Sequence, residues 1–176
     1  FFSPRVFRRA AEWLREDRPE GPWYLHVDAF DPHEPFHVPE PYRSMYTDDD
    51  YRRYSPWPLY GRTDAGSAAL DERELAWVRA QYAGKVTMAD RWLGRVLDAM
   101  DEQGLWEDTV LVLTTDHGHY LGDHGWIGKP PAPIYDTLAH IPLLIAWPGC
   151  PAGTRVSALT QTVDLYPTLL EILGAP

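Results

Sequence analysis

A short apolar run that leads into polar and glycine residues limits what this chain can fold into. Residues 110–113 read Val-Leu-Val-Leu. That run is too short for a helix and too continuous for a half-exposed strand, so it predicts a strand covered on both faces. The run leads into Asp116, His117 and Gly118, and three more glycines follow within ten residues. An α/β sheet presents its chemistry in this way, at the carboxyl ends of buried strands.

The polar residues after the run suit a metal ion and an anion. Asp116 offers oxygen and His117 offers nitrogen, the two atom types that divalent cations accept from protein side chains. Lys129 lies thirteen residues after Asp116 and can return an ammonium group to the same place. A metal beside a lysine predicts a site for an anion. The Asp-His pair also suits a helix cap or a surface hydrogen bond, and the residue types alone leave both interpretations open.

Composition and charge exclude several classes of protein. The 176 residues carry a net charge of −10, which makes a nucleic-acid backbone a poor partner. No apolar run approaches the length of a membrane-spanning helix, so we predict no membrane span. No signal peptide is predicted, because Phe1 is not followed by a basic leader segment. The single cysteine excludes an internal disulfide bond and leaves the compartment open.

Hydrophobic periodicity predicts further elements around the apolar run. Three helices are predicted, at residues 4–17, 71–103 and 164–173. Two more core strands are predicted, at residues 23–30 and 141–147. We find no linker that would divide the chain, so these elements are expected to share one core.

The long helix at 71–103 is predicted to bury one apolar face. Its members recur at three- and four-residue steps: Leu75, Val78, Tyr82, Val86, Ala89, Leu93, Val96 and Met100. Asp71 fits the N-cap and Gly104 the first residue after the C-cap. Lys85 and Asp90 are predicted to be exposed charges on this helix rather than functional residues.

Residues 115–129, TDHGHYLGDHGWIGK, resemble the carboxyl-terminal signature of the sulfatase family, within the alkaline-phosphatase-like superfamily. The resemblance extends through residues 80–118, 141–149 and 162–174. It implies an α/β fold, a three-layer α/β/α sandwich around a mixed sheet that is incomplete at its N-terminus. It also implies a single partial domain over residues 1–176, with a variable insertion at about 43–70.

The resemblance implies roles for five side chains. Asp116 and His117 correspond to metal ligands of the family. Lys129 and His33 correspond to groups that bind the sulfate ester and take part in catalysis, and His33 stands in a Pro-His-x-Pro segment. Either of these two residues could protonate the leaving group. His124 is assigned to the substrate-binding loop, mainly as support for it.

The implied activity is that of a metal-dependent sulfuric ester hydrolase acting on a small-molecule or carbohydrate sulfate ester. The resemblance favours calcium, whereas the imidazole of His117 leaves manganese or zinc open. Two alternatives remain. One is a phosphonate monoester or phosphodiester hydrolase, since the same metal pair and lysine also serve those enzymes. The other is a non-catalytic module that binds sulfate.

The nucleophile motif of the family is not found in this sequence. Sulfatases generate formylglycine from the Cys or Ser of a Cys/Ser-x-Pro-x-Arg motif, and the segments at Cys150 and Ser3 lack its spacing. We therefore expect a carboxyl-terminal part of a longer enzyme, with formylglycine in the missing N-terminal part. The chain alone is expected to be nearly inactive, because the nucleophile carries the chemical step. A sheet without its first strands is expected to self-associate through its exposed edge.

Overall fold

The computed structural model describes residues 1–50, 57, 59–131 and 133–174. Its α-helices are α1 (Phe2–Glu12), α2 (Glu72–Glu102), α3 (Asp136–Ala139) and α4 (Leu165–Ile172). Its strands are β1 (Gly61–Arg62), β2 (Leu111–Thr114), β3 (Tyr120–Leu121), β4 (Trp126–Gly128) and β5 (Leu143–Ala146). Part of the predicted insertion at 43–70, namely residues 51–56 and 58, lies outside the described residues. In the described part of the chain, every helix is too short or too polar to cross a membrane.

The long helix α2 has the ends that its sequence predicts. The Asp71 side chain accepts the N–H of Glu74, and the Glu74 side chain accepts the N–H of Asp71, which completes a capping box. Gly104 follows the C-cap in the left-handed conformation. The predicted buried face is only partly right, because Val78 is fully buried whereas Val86 is 42 % exposed.

The largest apolar core lies between α1 and α2. Phe7, Ala11 and Leu14 of the first helical segment pack against Val96 and Met100 of α2. Each fully buried large side chain in such a core contributes about 1.5–3 kcal/mol. α1 continues into a π-helical turn at Trp13–Asp17, so the helical span matches the predicted 4–17 at its carboxyl end.

The strand predicted at residues 23–30 is not observed. These residues are assigned to no strand, although their burial alternates residue by residue, as in an extended chain. Trp23, Leu25 and Val27 pack on the α1–α2 core. A strand needs a neighbour to share its backbone hydrogen bonds, and no neighbouring strand pairs with this segment in the part of the chain that the structure describes.

Strands β2 and β5 form a two-stranded antiparallel sheet, with Leu111 opposite Ala146 and Thr114 opposite Leu143. Both strands were predicted, but β2 is not covered on both faces. Leu113 is 38 % exposed and Leu144 of β5 is 57 % exposed. The reason is that Leu111 reaches the α1–α2 core, whereas no described residues form a layer over the far end of the sheet, where Leu113 and Leu144 are exposed.

A second antiparallel sheet has the order β1-β4-β3. Ile127 of β4 is fully buried and packs with Phe36, Val78 and Trp77, so this sheet is fixed to α2. β4 ends at Gly128, directly before Lys129. This places Lys129 beside the loop at residues 31–35, which follows the extended segment at 23–30. In α4, Asp164 is the N-cap residue as predicted, but Leu173 at its end is 69 % exposed.

Candidate anion and metal site

His33 is carried by an irregular loop that is tied to α2 through a buried ion pair. The Lys85 ammonium lies 2.8 Å from a carboxylate oxygen of Asp31, and both side chains are almost fully buried. Lys85 also donates to the backbone oxygen of His33 at 2.6 Å and to that of Pro35 at 3.0 Å. The prediction that Lys85 is an exposed charge was therefore wrong, because the loop at 31–35 folds over it.

Asp31 completes the attachment of this loop to α1. Its carboxylate accepts the backbone N–H of Ser3 at 2.9 Å and the Ser3 hydroxyl at 2.7 Å. Burial by itself would raise the pKa of Asp31, but the hydrogen bonds from Lys85 and Ser3 outweigh it and hold the pKa below its usual value. Asp31 is therefore charged at neutral pH, and the loop is anchored at both α1 and α2.

His33 and Lys129 meet directly, although they are far apart in the sequence. The Lys129 Nζ lies 2.7 Å from His33 Nε2. The other ring nitrogen, Nδ1, lies 2.8 Å from the backbone oxygen of Glu34. Because a carbonyl oxygen only accepts, Nδ1 carries a hydrogen and Nε2 is the atom that accepts from the lysine. We call His33 and Lys129 the anion pair.

A buried carboxylate lies behind the anion pair. The Glu34 side chain is 2 % exposed, and its Oε1 accepts the hydroxyl of Tyr60. Its Oε2 lies 3.3 Å from His33 Nδ1 and 3.8 Å from His119 Nδ1. Neither approach has hydrogen-bond geometry, so Oε2 has no hydrogen-bond partner among the described residues.

His119 lines the same buried region among aromatic rings. Its ring lies edge-on to Phe36 at 5.3 Å and stacks on Tyr82 at 6.4 Å, centroid to centroid. Burial lowers the pKa of His119 to about 4, which outweighs the opposing effect of Glu34. His119 is therefore neutral at physiological pH, and its Nε2 is buried without a hydrogen-bond partner among the described residues.

Asp116 and His117, which we call the metal pair, lie at the exposed end of β2. The His117 Nε2 is 3.4 Å from Asp116 Oδ2, and His117 Nδ1 is 2.8 Å from the backbone oxygen of Gly118. The carbonyl fixes the hydrogen on Nδ1 and leaves the Nε2 lone pair facing the carboxylate. Burial would raise the pKa of Asp116, but the nearby His117, the backbone N–H groups of His117 and Asp116, and the Thr115 hydroxyl together lower it.

The metal pair fits a divalent cation in part. Oxygen and nitrogen donors face the same point, and the hydrogen bond from the imidazole to a carbonyl is the usual support for a ligating histidine. Among the described residues, however, no group of three or more candidate ligands is found. Asp116 and His117 would therefore supply two ligands, and the remaining ligands would come from elsewhere.

One member of each pair lines a common cavity. His117 and Lys129 line one open cavity of about 430 Å³, together with the apolar side chains Pro130, Ile134 and Leu138. The structure thus places a cation of the anion pair and a ligand of the metal pair around the same space. An ester with an anionic head and an apolar or mixed leaving group has the matching chemistry.

The fifth predicted residue, His124, makes different contacts. Its ring stacks on Tyr135 at 3.8 Å between centroids, and its backbone adopts a positive φ of 53°. Its backbone oxygen accepts from Arg62 at 3.5 Å. These contacts fit the predicted support of the loop, and substrate binding by His124 remains a prediction.

Lys85 and Glu34 are among the residues of the site whose positions the sequence analysis did not predict. Lys85 lies seven residues after Val78 and three before Met88, both fully buried. That helical spacing could have shown that it faces inward. Glu34 stands beside His33 between two prolines, and nothing in this local pattern shows that the carboxylate turns inward.

A family model described as Sulfatase matches residues 2–175. This chain belongs to the sulfatase family. The resemblance stated from the sequence is thereby confirmed, and so is the α/β, alkaline-phosphatase-like fold class.

Named relatives and a solved structure are similar to this chain over most of its length. The multifunctional alkaline phosphatase superfamily protein PehA of Trinickia caryophylli is 34 % identical over 98 % of this chain and 38 % of its own length. An arylsulfatase of Clostridium perfringens is 30 % identical over 94 % of this chain and 37 % of its own length. The crystal structure of a phosphonate monoester hydrolase of Agrobacterium radiobacter superposes with a TM-score of 0.77 at 31 % identity, over 94 % of this chain and 38 % of that one. The chain therefore spans less than two fifths of the length of these relatives.

Proposed function

We propose that this chain forms the ester-binding and metal-binding portion of a metal-dependent sulfuric ester hydrolase. Membership of the sulfatase family supports a hydrolase of this type. The observation that carries the proposal is the 2.7 Å contact between His33 Nε2 and Lys129 Nζ, at a cavity that His117 also lines. We also propose that residues 1–176 form a single partial domain with a variable insertion at about 43–70.

Lys129 binds the ester in this proposal. A sulfate ester carries negative charge on its outer oxygens, and cleavage adds charge to the leaving oxygen. The Lys129 ammonium donates to an outer oxygen and fixes the ester in the cavity. Because the cation is held in place by His33 before the ester arrives, little reorganisation is needed when the ester binds.

His33 supplies the proton for the leaving group. Its Nδ1 hydrogen is held by the Glu34 carbonyl, so the reactive nitrogen is Nε2. Nε2 faces the Lys129 ammonium at 2.7 Å. A proton carried on Nε2 could be donated to the leaving oxygen as the ester bond breaks.

A divalent cation bound by Asp116 and His117 would polarise the ester oxygens and neutralise their charge. Calcium is proposed first, and the imidazole ligand also suits manganese or zinc. Sulfatase family members generally use formylglycine, and we propose that the natural protein supplies it from a portion beyond this chain. The chain by itself is proposed to have little activity.

The experiment compares turnover of nitrophenyl sulfate and of phenylphosphonate esters by the complete natural protein that contains this chain. A higher kcat/KM on the sulfate supports the sulfatase proposal. A higher value on the phosphonate supports the second candidate, which the Agrobacterium hydrolase favours. Tight binding of a sulfated ligand, including a sulfated carbohydrate, with no turnover would support a non-catalytic module instead.

A further inference from the structure

We propose that Glu34 is a positioning residue that supplies the counter-charge for the proton on His33 while the leaving group is protonated. This inference rests on the proposed function, because it assigns the leaving-group proton to His33. It concerns a carboxylate that binds neither the ester nor the metal. Glu34 acts through the ring of His33, from the side opposite to Lys129.

The burial of Glu34 needs an explanation. Its side chain is 2 % exposed, Oε1 accepts one hydrogen bond from Tyr60, and Oε2 accepts none among the described residues. A buried carboxylate with an unsatisfied oxygen is costly, unless a positive charge faces it. The native structure therefore contains a buried carboxylate that lowers its stability. Such groups concentrate at functional sites.

The groups that face Glu34 are His33, His119 and, beyond His33, Lys129. His33 Nδ1 is nearer to Oε2, at 3.3 Å, than His119 Nδ1, at 3.8 Å. Lys129 contacts the opposite nitrogen of the His33 ring at 2.7 Å. Carboxylate, imidazole and ammonium thus stand in a row. A proton on His33 Nε2 lies closer to the carboxylate than the same proton on Lys129 Nζ, and Glu34 stabilises that position of the charge.

The carboxylate is held in place from behind by Tyr60. The Tyr60 hydroxyl donates to Glu34 Oε1, and its ring packs directly against Gly128, where any side chain would overlap it. Gly128 has a φ of +85°, a conformation that side chains disfavour. The end of β4 thereby fixes Tyr60, Glu34 and the following Lys129 relative to one another.

The step balances once the nucleophile is included. In the complete protein, the sulfuryl group would pass to the oxygen nucleophile from the portion beyond this chain, so that a new sulfur–oxygen bond forms there. The bond between the ester sulfur and the leaving oxygen breaks at the same time, and its electron pair goes to the leaving oxygen. The proton on His33 Nε2 moves to the same oxygen. His33 returns to the neutral form with hydrogen on Nδ1, and Glu34 remains a carboxylate throughout.

The test uses the complete natural protein with Glu34→Gln and Glu34→Met. Glutamine keeps an acceptor but removes the charge, whereas methionine removes both at a similar volume. Turnover is measured with nitrophenyl, chlorophenyl and unsubstituted phenyl sulfates, which are successively poorer leaving groups. The control is Glu40→Gln, because Glu40 also precedes a proline but is exposed and accepts from Ser44.

The expected loss in kcat is about 10–100-fold for Glu34→Met on phenyl sulfate and smaller for Glu34→Gln. It should shrink on nitrophenyl sulfate, which needs less protonation, while KM changes little. Glu34→Gln should keep or raise the melting temperature, because it removes a buried charge whose Oε2 accepts no hydrogen bond among the described residues. The Glu40→Gln control should match the unaltered protein on all three esters.

A merely structural role would lower kcat by the same factor on all three esters. That result, or no loss in either Glu34 variant, would overturn the inference and leave the proposed function intact. If the unaltered protein turns over none of the sulfates, the proposed function fails and the inference fails with it. The two failures are therefore distinguishable.

Discussion

The anion pair and the metal pair are held in opposite ways. His33 and Lys129 are brought together by contacts across the whole chain, since Lys85 of α2 fixes the His33 loop and β4 delivers Lys129. Asp116 and His117 are held by bonds to each other and to Gly118. The Asp116 side chain is 82 % exposed, whereas Glu34 behind the anion pair is 2 % exposed.

This difference shows how far the geometry of each pair depends on residues outside that pair. The anion pair is preorganised by tertiary structure, so its geometry should be present before any ligand binds. Among the described residues, the side chains of the metal pair form hydrogen bonds only within residues 115–118, so a bound cation and further ligands should order the pair. Four predictions test this contrast, starting with the largest expected effect.

Lys85→Met should remove the attachment of the anion pair. It leaves the Asp31 carboxylate buried without its cation, and breaking a buried pair in this way costs about 3–5 kcal/mol of unfolding free energy. Urea denaturation measures the loss, and Arg91→Met is the matched control on an exposed position of the same helix. Combining Lys85→Met with Asp31→Asn should recover part of the stability. An unchanged unfolding free energy in Lys85→Met would contradict the anchoring role.

Lys129→Met should abolish the cation of the anion pair and lower kcat/KM of the complete protein about 10²–10³-fold. The unfolding free energy should change far less, because the ammonium binds the ester rather than the core. Steady-state kinetics on nitrophenyl sulfate check the first part, with Arg155→Met, at an exposed position, as the control. Equal kinetics for both variants would exclude Lys129 from ester binding.

A divalent cation should stabilise the metal pair and leave the anion pair unaffected. At about 100 times its dissociation constant, a cation that binds only the folded state adds about 2.7 kcal/mol. Melting curves with calcium, manganese or zinc, each reversed by a chelator, measure this effect in the complete protein. Asp116→Asn should weaken the response, whereas Asp98→Asn at an exposed position of α2 should not. The same response in both variants would place the cation elsewhere.

His119→Phe should make the unfolding free energy depend less on pH. The folded-state pKa of His119 is lowered from 6.5 to about 4, so the unfolded chain binds more protons in that range and stability falls as the pH falls. Between pH 6.5 and 5 the loss attributable to His119 is roughly 1–2 kcal/mol. Urea denaturation across this range should show a flatter profile for His119→Phe. A profile parallel to that of the unaltered protein would mean that His119 takes up a proton as readily folded as unfolded.

The elements that depend on local sequence were predictable. The capping pair of Asp71 and Glu74 and the helical periodicity fixed α2, because both signals lie within a few residues. The segment at 23–30 has the pattern of a strand but no strand partner among the described residues. Strand pairing depends on whether another segment lies alongside, so the local pattern of residues 23–30 could not predict that this segment stays unpaired.

The candidate site divides in the same way. His33 and Lys129 could be named from motifs, and the structure places them 2.7 Å apart. The position of Glu34 depends on how the 31–35 loop folds onto α2, which no local rule specifies. The inward position of Lys85, in contrast, follows from its helical spacing to buried residues. A charged side chain is normally assigned to the surface, and that general rule fails where a partner such as Asp31 is buried with it.

Gly118, which supports His117, also restricts how this site could be redesigned. A side chain at this position would overlap the backbone oxygen of Thr137 in α3, and the Gly118 N–H donates to the backbone oxygen of Leu138 at 2.9 Å. A mutational library at position 118 would therefore displace the helix that forms one wall of the cavity. Variation at Ile134 or Leu138 would change that wall without moving the metal pair, and these are the positions at which leaving-group preference could be selected.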